Sequence, residues 1–292
     1  MGTFAVPEID YTRYTNRQLA AVPLAVLAFA LLVLLGGYVV YGTPVELGMD
    51  FAGGTELTIE TTSSEAEIEA AFSEQPESVQ SVQATENQYL VQFAPTDADV
   101  QSEAESNLEP VSGNDQVVQL SAETSASFGA AAQQTALLGL GAAFVGMSVI
   151  AFVLFRTFVP SIAIVISAFS DLVIPLAFMN VLGIPLSLGT VAGLLLIVGY
   201  SVDSDILLNN HILRRSGDFY ESTHRAMRTG ITMTVTSMAA MLVMAVAAWA
   251  LGVELLLSVG LILTVGLAAD LMNTYLLNLS LLRWYKFEGV AR

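Results

Sequence analysis

The sequence predicts a polytopic α-helical membrane protein: six transmembrane helices, with one small extracellular α+β domain of ferredoxin-like order between helices 1 and 2. Three observations carry that fold class. The 292 residues are 54% hydrophobic and 13% charged, against about 25% charged in an ordinary soluble chain. Six apolar runs are long enough to cross a hydrocarbon core, which takes about 20 residues per helix. Of the 27 acids, 17 fall between residues 42 and 130, where there is neither Lys nor Arg. Acids and bases balance elsewhere, so one polar insert carries the whole net charge of −17.

The first run, 19–41, exceeds the core of a signal peptide and no small-x-small cleavage site follows it, so it reads as a retained helix. The other runs are 131–155, 159–182, 185–208, 230–251 and 255–282, punctuated by Pro160, Gly183-Ile184-Pro185 and Leu251-Gly252 as short turns. Within the insert, 55–61 alternates as a strand, and Ser64 opens a helix with Glu65, Glu67 and Glu69 early and Ile68 and Phe72 at helical spacing. Segments 79–85 and 88–93 flank Glu86-Asn87 as a hairpin. Thr96 or Asp97 caps a second helix to Leu108, and 116–120 is a last strand. The order βαββαβ is that of a ferredoxin-like layer.

Bases set the orientation. Arg13 and Arg17 precede the first span, Arg156 follows the second, Arg214, Arg215, Arg225 and Arg228 lie between or beside spans four and five, and Arg283, Lys286 and Arg292 follow the sixth. With alternating spans all fall on one side. The expected division is a cytoplasmic N-terminus (1–18), the first span (19–41), an extracellular acidic domain (42–130), a five-helix bundle (131–282) with a cytoplasmic loop at about 209–229, and a cytoplasmic C-terminus (283–292) in the cell membrane.

Composition also excludes functions. So acidic an insert repels a phosphate backbone, against nucleic-acid binding. Zero cysteines remove disulfides, thiolate metal sites and Cys nucleophiles. No glycine-rich phosphate loop ending in Lys, zinc-type His pair or nucleophile elbow is present, so no enzyme activity, cofactor or metal is expected. The acids read as a solvated surface adapted to high salt, where repulsion is screened, with a docking face for basic partners as the alternative.

Polar residues inside the spans are the candidates for function, because an ionised side chain at a helix centre costs roughly 2.5–3.5 kcal/mol. Asp171 lies in span three, Asp203 and Asp205 in span four and Asp270 in span six, with Asn180, Asn209, Asn210 and Asn273 as neutral companions. Asp203 and Asp205 are separated by about 200° of helical rotation, so they face different neighbours. Burial and a nearby guanidinium act oppositely on a carboxyl's hold on its proton, which suits a proton or ion relay. The relay candidates are Asp203, Asp205 and Asp171, with Arg228 as partner. Asp270 is expected to be static glue, and His211 and His224 interfacial loop residues. Gly189 and Gly193 form GxxxG, a helix-packing face.

At this point the residues resemble a family. Leu47-Gly48-Met49-Asp50-Phe51-Ala52-Gly53-Gly54-Thr55 is similar to the Leu-Gly-x-Asp-Phe-x-Gly-Gly signature of SecD and SecF, accessory membrane proteins of the protein-export channel. Phe169-Ser170-Asp171-Leu172-Val173-Ile174 is similar to the family's His-Asp-Val-Ile stretch, with Ser170 in place of His. Val198-Gly199-Tyr200-Ser201-Val202 resembles its Ile-Gly-Tyr-Ser-Leu, and Arg228-Thr229-Gly230-Ile231-Thr232 its Arg-led entry to span five. The resemblance covers essentially the whole chain and points to a halophilic archaeal source. It implies a resistance-nodulation-division architecture, SecD, the Sec channel and preproteins as partners beside membrane lipid, and gradient-driven pulling of preproteins. Bacterial members place their acid at the position of Ser204; Asp203 here matches the Val-Asp-x-x-Val-Leu pattern of the SecD sister. Asp203 is therefore the expected coupling acid, with Asp171 secondary. Asp50, Phe51, Gly53 and Gly54 form the outer motif, whose glycines admit special backbone conformations and whose Asp50 is expected to cap that turn. Two competing functions share the pattern: half of a small-molecule exporter of the same superfamily, and a non-energised scaffold of the channel.

Overall fold

The computed structural model describes residues 10–82, 85–96, 98–214 and 218–289. After a short 3-10 turn at Tyr11–Arg13, α1 (Asn16–Tyr41) starts on Thr15. The Thr15 hydroxyl accepts from the Gln18 amide, and the Gln18 side chain accepts from the Thr15 N–H, which satisfies two end groups at once. A four-residue helix, α2 (Met49–Ala52), leads into the insert domain: β1 (Gly54–Glu60), α3 (Glu65–Ala70), β2 (Ser78–Ser81), β3 (Gln88–Phe93), α4 (Val100–Asn107) and β4 (Val118–Thr124). The strands form one antiparallel sheet in the order β2-β3-β1-β4. Alternation along β1 buries Leu57 and Ile59, and with Val91, Phe93, Ile68, Val100 and Ala104 they make the domain's core between sheet and helices. Phe72 and Phe93 meet edge to face with ring centres 4.7 Å apart.

The hairpin differs from the sequence reading. β2 ends at Ser81, so residues 82–87 connect it to β3, and Glu86-Asn87 closes a longer connection instead of forming a two-residue turn. No glycine is available there for the tight primed turn, and Asn87 takes a left-handed conformation, at φ 63°. The cap of α4 is Asp99, whose carboxylate accepts from the Ser102 amide. Thr96 accepts from Ala98 instead, and Asp97 lies outside the described residues. β4 starts later than expected, where the Glu105 carboxylate accepts from the Val117 and Val118 amides.

The bundle continues with α5 (Ala126–Phe155), α6 (Phe158–Leu182), α7 (Leu188–Arg214), α8 (Phe219–Leu251) and α9 (Glu254–Met272). α9 runs on through a π-helical turn, Asn273–Asn278, into α10 (Leu279–Trp284) and a second π turn, Tyr285–Gly289. Six helices are long and apolar enough to cross a membrane, and the chain is a multi-pass membrane protein. α6 and α7 are the most buried; α5 and α8 leave most of their surface outward. Ile164, Ala168, Leu172, Leu194, Ile197 and Ile262 fill the middle, and a second cluster around Leu208, Met227, Tyr275 and Leu279 fills the end away from the insert. Gly189 and Gly193 face α9 of the same chain: a Cβ on Gly189 meets Leu255 Cδ1 at 2.2 Å, and one on Gly193 lies 3.7 Å from Val259 Cγ1.

Much of segment 209–229, expected as a loop, is helix, because α7 extends to Arg214 and α8 begins at Phe219. His211 is thus a buried helical residue whose Nδ1 pairs with the Leu207 carbonyl at 2.8 Å, and His224 is half-buried within α8. At the same end, Arg283 is buried and joins the two ends of the described chain. Its guanidinium donates to the Tyr11 and Tyr14 carbonyls at 2.8 and 2.7 Å and to the Asn16 side chain. Burial pushes the phenol of the adjoining Tyr11 up to about 12.

Candidate functional site

Three helices bring polar faces together in the middle of the bundle. On α7, Ser201, Ser204, Asp205 and Asn209 recur at three- and four-residue spacing, which is one helical face. Asp270, Asn273, Thr274 and Asn278 do the same along α9 and its π turn, and Ser167 and Asp171 along α6. All ten side chains are at most 2% exposed. Asp171 is fully partnered: Ser201 donates to one oxygen at 2.5 Å and Asn273 to the other at 2.6 Å. Asp205 Oδ1 accepts from Thr274 at 2.9 Å and Asn278 at 2.8 Å. Asp270 Oδ1 accepts from Ser204 at 2.6 Å and Thr274 at 3.3 Å. Thr274 therefore sits between two carboxyls, with Ser204 3.3 Å away.

What the cluster leaves over is acceptors. Asp205 Oδ2, Asp270 Oδ2 and the amide oxygens of Asn209, Asn273 and Asn278 are buried without a hydrogen-bond donor, and the Ser167 hydroxyl, close to both Asp171 and Asp205, is also unpartnered. Each such group costs about 1–3 kcal/mol. Among the described residues no base donates to any of the three carboxyls. Nor do three or more His, Cys, Asp or Glu side chains among them form a metal-binding group. The π turn lies where α9 contributes Asn273, Thr274 and Asn278, a placement common at functional sites.

The residues singled out from sequence divide. Asp171 and Asp205 meet in the cluster, and Asp270, expected to be static glue, is its third carboxyl. Asp203, the expected principal acid, is instead on the exposed face of α7 in line with Leu196 and Gly199, because a two-residue step turns it away from Asp205. Arg228 is likewise exposed on α8 and joins none of the three carboxyls. At 1.5 Å per residue it lies roughly 35 Å from the insert end of α8, whereas Asp203 and Asp205 lie roughly 22 and 26 Å from that of α7. Asn180 serves packing, donating to the Pro44 carbonyl at 2.7 Å. The donors Ser201, Ser204, Thr274 and Asn278 were missed; the signal for Ser201 and Thr274 was their spacing of four residues from Asp205 and Asp270.

The signature segment forms the joint between insert and bundle. Gly53 and Gly54 have φ of 83° and 137°, and a Cβ on Gly54 falls 2.2 Å from the Phe93 carbonyl, so glycine is required there. Phe51 is buried, and its carbonyl lies 2.6 Å from where a Cβ on Gly129 of α5 stands. Asp50 does not cap its own turn. Its Oδ2 accepts from the Leu188 amide at 2.9 Å, in the first turn of α7.

Fold and site define a multi-pass membrane protein built on a buried carboxylate cluster, with a small sheet domain jointed to the helix that carries one of the acids. Known proteins are similar to this chain in sequence and fold. The family pattern described as protein export membrane protein SecD/SecF, C-terminal, matches residues 104–288, and the SecD/SecF GG motif matches residues 38–65. Similar proteins include the protein-export membrane protein SecF of Haloferax volcanii, 61% identical over 295 residues, and that of Haloquadratum walsbyi, 60% identical over 301, each alignment covering 100% of both chains. The fold is similar to the crystal structure of SecDF, a translocon-associated membrane protein from Thermus thermophilus, with a TM-score of 0.70 at 22% identity over 96% of this chain. A super-membrane-facing form of SecDF gives 0.59 at 23% identity over 98%. The chain spans 39% and 40% of those two longer chains. The chain belongs to the SecF branch of the SecD/SecF family of protein-export membrane proteins, and its acidic composition accords with its haloarchaeal relatives.

Proposed function

We propose that this chain acts with SecD as the SecF-type subunit of the Sec machinery, promoting preprotein translocation by coupling it to an ion gradient, with Asp205 as the principal relay acid and Asp171 and Asp270 as its companions. The single observation that carries this reading is the imbalance of the cluster: three buried carboxyls, no base donating to them among the described residues, and two carboxylate oxygens left without donors. Charge balance in a dry site then requires protons or cations from outside the chain, and a gradient can supply them. One elementary charge crossing the field gains about 2.3 kcal/mol per 100 mV, comparable with the energy of one missing hydrogen bond.

Several further features support the wider reading. The exclusive placement of bases at the end away from the insert favours cytoplasmic termini and an extracellular insert. The element order with sheet order β2-β3-β1-β4 favours a ferredoxin-like layer. An acid facing outward from an apolar span, Asp203, favours a second membrane protein against α7, since lipid offers it no partner; SecD, the Sec channel and preproteins are the proposed partners.

Asp205→Asn keeps size and one acceptor but cannot ionise. In vesicles it is expected to abolish gradient-stimulated export while leaving the folded protein and its recovery with SecD intact, whereas Asp203→Asn retains gradient stimulation. Loss with Asp203→Asn alone would return the relay to the exposed face; loss with neither would make the carboxyls static glue and the chain a scaffold.

A further inference from the structure

The first turn of α7 is completed by a side chain of the signature segment, Asp50. Its own sequence supplies part of the cap: the Ser187 N–H donates to the Thr190 hydroxyl at 2.7 Å, and the Thr190 N–H donates to the Ser187 hydroxyl at 3.2 Å. The Leu188 amide is left over, and Asp50, 138 residues away in sequence, takes it. A carboxylate there gains additionally from the helix dipole. Backbone pairing backs this contact. Gly48 N–H donates to the Leu186 carbonyl and Leu186 N–H to the Glu46 carbonyl, both at 2.8 Å, so Leu47 and Leu186 form a parallel bridge.

On the other side, the same segment is locked to the sheet. Gly54 begins β1 in contact with the Phe93 carbonyl, and a Cβ on Gly53 stands 3.0 Å from the Ala126 backbone at the start of α5. The path from β1 through Gly54, Gly53 and α2 to Leu188 is therefore backbone throughout, with one carboxylate as its last link. From Leu188 the helix is continuous to Ser201, Ser204 and Asp205, about 26 Å at 1.5 Å per residue.

We propose that Asp50 is a positioning residue: by capping α7 from the base of the insert domain, it fixes where the face bearing Ser201, Ser204 and Asp205 stands, and so couples the insert to the carboxylate cluster. This rests on the relay reading of Asp205 given above. A local staple predicts loss of folded protein and nothing else. A positioning role predicts a change in how the cluster responds to its ion.

The test compares Asp50→Ala, Asp50→Asn and Asp50→Glu in the full chain with its partner in vesicles. Export is measured at fixed membrane potential while the proton or sodium concentration on the insert side is varied. Asp50→Ala should shift the half-stimulating concentration by about fivefold, the factor that loss of one helix cap produces in an equilibrium. Asp50→Asn, whose amide oxygen still accepts from Leu188, should stay within about twofold of wild type. Asp50→Glu keeps the charge but moves the acceptor by a methylene, so it should shift the half-point even if Asp50→Ala does not fold. An unchanged half-point in Asp50→Ala or, failing that variant, in Asp50→Glu overturns the proposal, whatever the maximal rate does. Asp205→Asn serves as the control. If it keeps its ion response, the relay reading itself fails; if it loses the response while the Asp50 variants keep theirs, the coupling alone fails.

Discussion

Removing the guanidinium of Arg283 strips donors from the Tyr11 and Tyr14 carbonyls and the Asn16 side chain in one step. Hydrogen bonds from a charged group are each worth about 1.5–3 kcal/mol when made and expose the partner to desolvation when lost. Arg283→Ala is therefore expected to lower stability by about 3 kcal/mol, read as a lower melting temperature of the purified protein, with Arg283→Lys recovering part of it. An unchanged melting temperature would show that the clamp is ornamental. The same scale explains which acids were legible. That the carboxyls of spans three and four are candidates for function followed from the rarity of acids in apolar sequence, whereas Asp270 of span six read as static glue. Which acid of span four turns inward did not follow from a family pattern centred on Asp203. The signal lay in the residues around Asp205: Ser201 and Asn209 stand four residues from it on the same face, whereas the face of Asp203 carries Leu196, Gly199, Tyr200 and Leu207.

At the scale of elements, the long apolar helices were legible because hydropathy alone fixes that they exist and where their apolar middles lie. The ends were less so: α7 and α8 extend past the apolar runs because polar residues there, such as His211 and Ser222, still pack or bond within the helix. The insert's order of strands and helices was readable from alternation and acidic first turns; its hairpin was not, since no turn dipeptide marks the bend. α3 shows how an acidic first turn acts. The Ser64 backbone N–H and then its hydroxyl donate to Glu67, which holds that carboxyl below its ordinary value of 4.5. Glu103 is held down likewise by the Ser73 hydroxyl and amide. A carboxyl depressed in the folded state adds stability that is full above its unfolded value and disappears as the pH falls through the folded one. Amide exchange in α3, corrected for its chemical rate, should therefore accelerate as the pH drops below about 4.5. Glu67→Gln should exchange faster at neutral pH and lose that acceleration. A variant that keeps the wild-type pH profile would mean the cap contributes nothing.

The whole molecule is electrically polar. Seventeen of the 27 acids fall between residues 42 and 130 of the sequence, and the bases among the described residues stand at or toward the other end of the bundle. In a chain without cysteine, single introduced thiols report sidedness cleanly. Ser81→Cys, at the exposed end of β2, should react with an impermeant thiol reagent added to intact cells, and Glu288→Cys, exposed in the last π turn, should react only after the membrane is opened. The reverse pattern would invert the topology.

α7 is gripped at both of its ends by residues that belong to neither of its neighbours in sequence. Asp50 holds the Leu188 amide at one end. At the other, Lys286 reaches the Ile212 carbonyl at 3.3 Å with its ammonium 5.8 Å above the Phe219 ring. A rod pinned at both ends does not work as a piston, because sliding by even a fraction of a turn breaks both pins together. What remains open to it is to bow or unwind between them, and the stretch between them holds Gly193, Gly199 and the polar face around Asp205. On the relay reading proposed for Asp205, ions arriving at the cluster would be felt as a change of curvature in one helix, passed outward to the insert as a tilt and not as a thrust.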